Sequence, residues 1–219
     1  VKAVAVAYRT IQGYKVIKRA GRVDWRRRVE DLASPHSAYE RLRDDNHKSY
    51  HSAEHLENLK MMVAMGSEYP NPSNIYHAVI MTAYDEGPEI LSPSIQAVAK
   101  NTFPNDHIIF VLAYEERGGQ AIEQTVQSLA RKYQGTFKHF MLVKHPANLR
   151  GEVIGKGPNL TYAGHTLADY VASHEIPVEN VIVTSLDSDN RMAPKYLDAV
   201  AYEFITHRDR QHLSYQPVT

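Results

Sequence analysis

The hydrophobic pattern divides the chain near residue 74. Before that point the pattern is polar and helical. "SAEHLENLKMMVAMG" (52–66) sets Leu56, Leu59, Met62 and Met65 near helical spacing and stops at Gly66. Ser37 and Glu40 have the spacing of a capping box. "SEYPNPSN" (67–74) has two prolines and no period, which marks a loop and a boundary. After it, short apolar runs alternate with amphipathic stretches. Strands are predicted in "IYHAVIM" (75–81), "HIIFVLAY" (107–114), "FKHFMLV" (137–143) and "NVIVTSL" (180–186). Helices are predicted in "GPEILSPSIQAVAKN" (87–101), where Pro93 argues against one unbroken helix, and in 118–135, 159–174 and 194–205. Strands alternating with helices imply an α/β fold with a mainly parallel sheet covered on both faces.

Ligands of such sheets bind beyond the carboxyl ends of the strands. Three acidic tips fall there: "TAYDEG" (82–87), "YEERGG" (114–119) and "LDSDN" (186–190). Read as continuing the strand, Asp187 and Asp189 would point to one side with Cα atoms about 6–7 Å apart. Two carboxylates that close repel unless a cation lies between them, and Mg²⁺ or Mn²⁺ prefers such oxygen ligands. A polar turn explains one D-x-D equally well. Three acidic tips on one edge point instead to a cation shared with an anionic partner such as a nucleoside diphosphate. Neither G-x-G-x-x-G nor G-x-x-x-x-G-K-[ST] follows a strand, so a glycine-rich phosphate cradle is absent.

Composition narrows the setting. The formal net charge is zero, which gives no overall nucleic-acid signature, and there is no cysteine. No apolar run reaches the roughly 20 residues that span a bilayer. The charge is uneven: residues 1–28 hold nine cations against Asp24, a balance of +8. Apolar residues lie among those cations. The segment fits an anionic membrane surface, a position just cytoplasmic of a membrane helix, or a solvated helix packed on the main domain. His47, His51 and His55 repeat every four residues, a spacing that chelates zinc in other settings, but no further ligand pattern accompanies them.

The order "VIMTAYDE", "IIFVLAYEE", "GKGPNLTYAG", "VTSLDSDN" resembles the family 2 glycosyltransferases over residues 75–219. The resemblance implies a GT-A-type Rossmann-like fold, and the residues before it read as a basic helical segment, 1–74. It implies a nucleotide-diphosphate sugar, UDP-sugar favoured, whose base is held by Ala83, Tyr84, Asp85 and Glu86. Glu115 and Glu116 stand where the family usually has an Asp pair touching base or ribose. "GKGPNL" puts Lys156 and Asn159 at the donor. Asp187 and Asp189 would ligate Mn²⁺ or Mg²⁺ on the diphosphate. The implied activity is inverting transfer of a sugar to a glycan or lipid-linked hydroxyl, at the cytoplasmic face of a membrane, as in polysaccharide biosynthesis.

The family's catalytic base lies well after D-x-D. Asp198, Glu203 and Asp209 fall on or just past the following helix and read as structural. The base is therefore expected beyond Thr219, in a longer protein, with residues 1–219 alone binding donor but transferring little. Two other readings stand beside this one: a nucleotidyltransferase, which usually has a basic Gly-rich loop after its first strand that "TAYDEGPEI" lacks, and a non-catalytic nucleotide-sugar-binding module at a membrane.

Overall fold

A computed structural model describes residues 2–45 and 49–216. Its elements are α1 (Lys2–Ala20), α2 (Trp25–Ala33), α3 (Pro35–Leu42), α4 (Ser52–Ala64), β1 (Tyr76–Ala83), α5 (Pro88–Ala99), β2 (Ile108–Glu115), α6 (Gly119–Tyr133), β3 (His139–His145), α7 (Lys156–Ser173), β4 (Val181–Leu186) and α8 (Tyr196–Thr206). The chain forms two compact units, residues 1–73 with 198–219, and residues 74–197.

The second unit is built on one parallel sheet in the order β3-β2-β1-β4. The central strands are almost wholly buried, whereas β3 and β4 at the edges alternate. That difference explains the sequence texture: a strand covered on both faces reads as a continuous apolar run. Ala78, Ile80, Ile109, Val111 and Val143 meet Ala163, Leu167 and Val171 of α7 on one face. On the other face, Phe110 stacks on Phe137 and Phe140, and Phe140 on Tyr133 of α6, with α5 packed beside α6. This is the doubly covered, Rossmann-like α/β arrangement expected from the alternation.

Strand order reverses after β3, because the chain crosses through α7 to place β4 on the far side of β1. The β1–β4 junction is therefore the topological switch point, where a crevice opens at the carboxyl edge.

Several local expectations are corrected. α5 runs unbroken through Pro93, and its neighbour Ser94 places its hydroxyl 3.3 Å from the Ile90 carbonyl. Ser37 lies inside α3, whose N-cap is Ser34 without a side-chain cap bond, so no capping box forms; Glu40 pairs with Arg43 instead. His47 lies outside the described residues. His51 is the left-handed N-cap of α4, and His55 is buried against Asp31 at 3.3 Å and the Tyr202 hydroxyl at 3.0 Å. That pairing gives His55 a structural role within the first unit. No helix among the described residues is long and apolar enough to cross a membrane.

Candidate active site

A cavity of about 710 Å³ lies at the carboxyl edge of the sheet. Ala83, Tyr84 and Glu86 reach it from β1 and the turn after it, and Glu115 from the end of β2. Lys156 and Asn159 come from the first turn of α7, and Asp187 and Asp189 from the turn after β4. The fold thus brings eight of the residues singled out in the sequence to one place. Asp85 and Glu116 do not line it. Asp85 is exposed, and Glu116 is bound to the Ala147 N–H at 2.9 Å and to Lys144 at 3.6 Å. These contacts hold the Glu116 carboxyl below the usual glutamate range, the Ala147 hydrogen bond contributing most.

Glu86 ties the two sides of the switch point together. One oxygen accepts the Tyr84 N–H at 2.7 Å and the other the Ser188 hydroxyl at 2.9 Å. Burial pushes its carboxyl up, but the backbone N–H groups of Tyr84, Glu86 and Asp85 and the Ser188 hydroxyl outweigh burial and hold it below the usual range. The carbonyl of Ser188 accepts from Ser94 of α5 at 2.6 Å. The D-x-D turn is therefore fastened through its middle residue, and both acids are exposed at the cavity.

The geometry of that turn differs from the strand-like one expected. β4 ends at Leu186, and the Asn190 N–H bonds the Asp187 carbonyl at 3.1 Å, closing a β-turn over Asp187–Asn190. Asp187 and Asp189 are both exposed at the cavity, and Lys156 is paired with the Asp187 carboxylate. Lys156 and Asp187 side chains are 47% and 54% exposed, so this pair is weakly held and readily exchanged for another partner. Lys156 also opens an 18-residue helix, and a cation at a helix N-terminus opposes the macrodipole; Asp187 offsets that.

Two deeper polar groups complete the lining. Glu115 is 5% exposed and paired with Arg117. Asn159 is 1% exposed; its amide donates to the Ala113 carbonyl at 3.3 Å, while its Oδ1 is buried with no hydrogen-bond partner. A buried acceptor without a donor costs about 1–3 kcal/mol, so Asn159 is poised to accept from a bound group.

Arg117 had no assigned role in the sequence reading. Its guanidinium lies 5.3 Å from the centre of the exposed Tyr84 ring, over the surface on which a flat ligand would stack. The adjacent Gly118 passes so close to Tyr84 that a Cβ there would lie 2.0 Å from the Tyr84 carbonyl oxygen. The only sequence signal was the run Glu-Glu-Arg-Gly-Gly after a strand.

Among the described residues no group of three or more His, Asp or Glu forms a ready metal cage. Magnesium commonly takes one or two carboxylates and completes its shell with phosphate oxygens and water. The two acids facing one cavity beside a lysine fit that shared kind of site.

No family model matches the chain, and no curated protein sequence matches it. Among solved structures, it is similar to the crystal structure of S. aureus TarS, with 19% identity and a TM-score of 0.40 over 60% of this chain and 19% of that chain.

Proposed function

We propose that the cavity binds a nucleotide-diphosphate sugar, UDP-sugar first among them, and that the chain is the donor-binding part of a metal-dependent, inverting glycosyltransferase. One observation carries the reading: an exposed tyrosine, a buried unpaired acceptor, a lysine and two carboxylates converge at the switch point of a parallel sheet.

The nucleobase stacks on Tyr84 once Arg117 moves aside, and Glu115 and the free Oδ1 of Asn159 accept N–H or O–H groups from base or ribose. The diphosphate lies at the first turn of α7, where Lys156 leaves Asp187 for a phosphate oxygen. Asp187 and Asp189 would hold Mn²⁺ or Mg²⁺. When bound, that ion neutralises the charge that develops on the leaving diphosphate. Glu86 acts on the site indirectly, by fixing the Tyr84 loop against the D-x-D turn. The acceptor hydroxyl needs a general base, and none of these residues is assigned to it.

The test is release of nucleoside diphosphate from a panel of radiolabelled nucleotide sugars, with Mn²⁺, in wild type and Asp187→Ala. Metal-dependent release that Asp187→Ala reduces at least tenfold is expected. Release of pyrophosphate from a nucleoside triphosphate and a sugar phosphate would replace this reading with nucleotidyl transfer.

A further inference from the structure

Helix α1 runs for 19 residues, and no residue from Val4 to Arg19 is buried. Val4 is 73% exposed, Tyr8 and Tyr14 63% and Ile11 53%. The Thr10 hydroxyl donates within the helix, to the Val6 carbonyl at 3.0 Å, and the Lys18 ammonium lies 6.0 Å from the centre of the Tyr14 ring. The carboxyl end is fastened to the first unit. The Val23 N–H bonds the Ala20 carbonyl at 3.1 Å, and the indole N–H of buried Trp25, the first residue of α2, donates to the same carbonyl at 3.0 Å.

A helix of this length that stands alone in water is marginal even when it is rich in alanine. The sequence of α1 is a poor one for standing alone: Val4, Val6, Thr10, Ile11, Val16 and Ile17 are β-branched, and Gly13 sits mid-helix. Such a helix gains its stability from the surface on which its apolar face rests. The described residues bury none of that face.

The pattern defines the face and the chemistry that suits it. Val4, Ala7, Ile11 and Tyr14 recur every three or four residues and form one stripe, which Tyr8 widens. Ala5, Arg9 and Gln12 lie on the other side. The charged residues of α1 are all basic, so its partner is anionic. A second copy of the chain would bring two basic helices together, which repel. A nucleic acid would meet the cations but leave the aliphatic stripe in water. Crossing a bilayer is excluded, since α1 is not apolar enough to span one. The surface of an anionic bilayer supplies both partners, headgroup charge for the cations and acyl carbon for the stripe. Lys15 and Lys18 flank the stripe with stems long enough to reach back to headgroups, and tyrosine rings suit that boundary.

We propose that α1 is an interfacial helix. It lies in the plane of an anionic bilayer with Val4, Ala7, Ile11 and Tyr14 turned into it and Lys15, Lys18 and Arg19 at the headgroup phosphates, and it holds the first unit at that surface. The proposal does not depend on the function assigned to the sheet-edge cavity.

Co-sedimentation of the full chain with phosphatidylcholine vesicles, with and without phosphatidylserine, tests it. Binding is expected where phosphatidylserine is present, and is expected to fall at least about tenfold from low to high salt. Ile11→Asp, at an exposed position that leaves the fold intact, is expected to weaken binding at least about tenfold, and Lys15→Glu combined with Lys18→Glu by a similar factor. The chain has no cysteine, so a polarity-sensitive dye can be placed at one chosen position. Dye on Ile11→Cys is expected to shift blue with phosphatidylserine vesicles, and dye on Ala5→Cys to stay unchanged. Equal binding to phosphatidylcholine alone, binding undiminished in Ile11→Asp, or equal shifts at the two dye positions would overturn the proposal. So would binding of RNA with none of vesicles, or a dimer in solution that Ile11→Asp dissociates.

Discussion

Strand β1 carries polar residues at both ends, and the two ends are built in opposite ways. At the amino end, Tyr76 stacks on His107 with centroids 4.7 Å apart, and His77 meets Phe103 edge-on at 4.6 Å. His107 is itself within 3.0 Å of the Ile75 carbonyl. Polar rings there are closed against one another and against the backbone. At the carboxyl end, Tyr84 is exposed, Glu86 reaches across to Ser188, and Lys156 and Asp187 form a half-exposed pair. The amino end spends its polar groups on packing. The carboxyl end leaves charges that change partners at little cost, which is what a ligand for an open crevice requires.

The largest effect that sharpens this contrast lies at the closed end. His77 is fully buried, neither ring nitrogen makes a hydrogen bond of good geometry, and burial pulls its pKa down to about 3, only partly offset by the Leu197 backbone. The folded state keeps the ring neutral, whereas the unfolded chain takes a proton near pH 6.5. The stability this represents is present above pH 6.5 and lost as pH falls toward 3, by about 1.4 kcal/mol per pH unit. His77→Leu is expected to remove that share of the acid slope. Denaturant titrations of both proteins across this range check it; parallel slopes would mean that His77 is not held neutral.

A smaller effect belongs to the open end. Gly118→Ala sets a methyl against the Tyr84 carbonyl, which is backbone and cannot swing away. The expected cost is about 1–3 kcal/mol. Under the function proposed above, displacement of Tyr84 is expected to weaken UDP binding as well. Thermal unfolding and calorimetry measure the two effects, and a variant unchanged in both would show that the Tyr84 loop yields freely.

The sheet was legible in the sequence because burial on two faces leaves continuous apolar runs, and "HIIFVLAY" could only be an interior segment. The site was legible in part because function at such an edge draws on the first residues after each strand. What stayed hidden depends on pairings that periodicity does not encode. The Glu86–Ser188 bond joins residues 102 apart and follows from strand order alone. Arg117 gains its place over Tyr84 only once β1 and β2 lie side by side. The D-x-D segment reads as a strand end by its apolar lead, but the turn bond to Asn190 wins locally. The histidine period failed for a related reason: His51 ends up as a left-handed cap and His55 as a buried partner of Asp31.

The central claim is that Asp187, Asp189 and Lys156 together form a seat for a metal-bound nucleoside diphosphate. Calorimetry with UDP in the presence and absence of Mn²⁺ tests it most directly. The account predicts binding that Mn²⁺ strengthens, a loss of that enhancement in Asp189→Ala, and at least about tenfold weaker binding in Lys156→Ala with stability within about 0.5 kcal/mol of wild type. Equal affinity with and without Mn²⁺, or an Asp189→Ala variant that binds as wild type does, would contradict it.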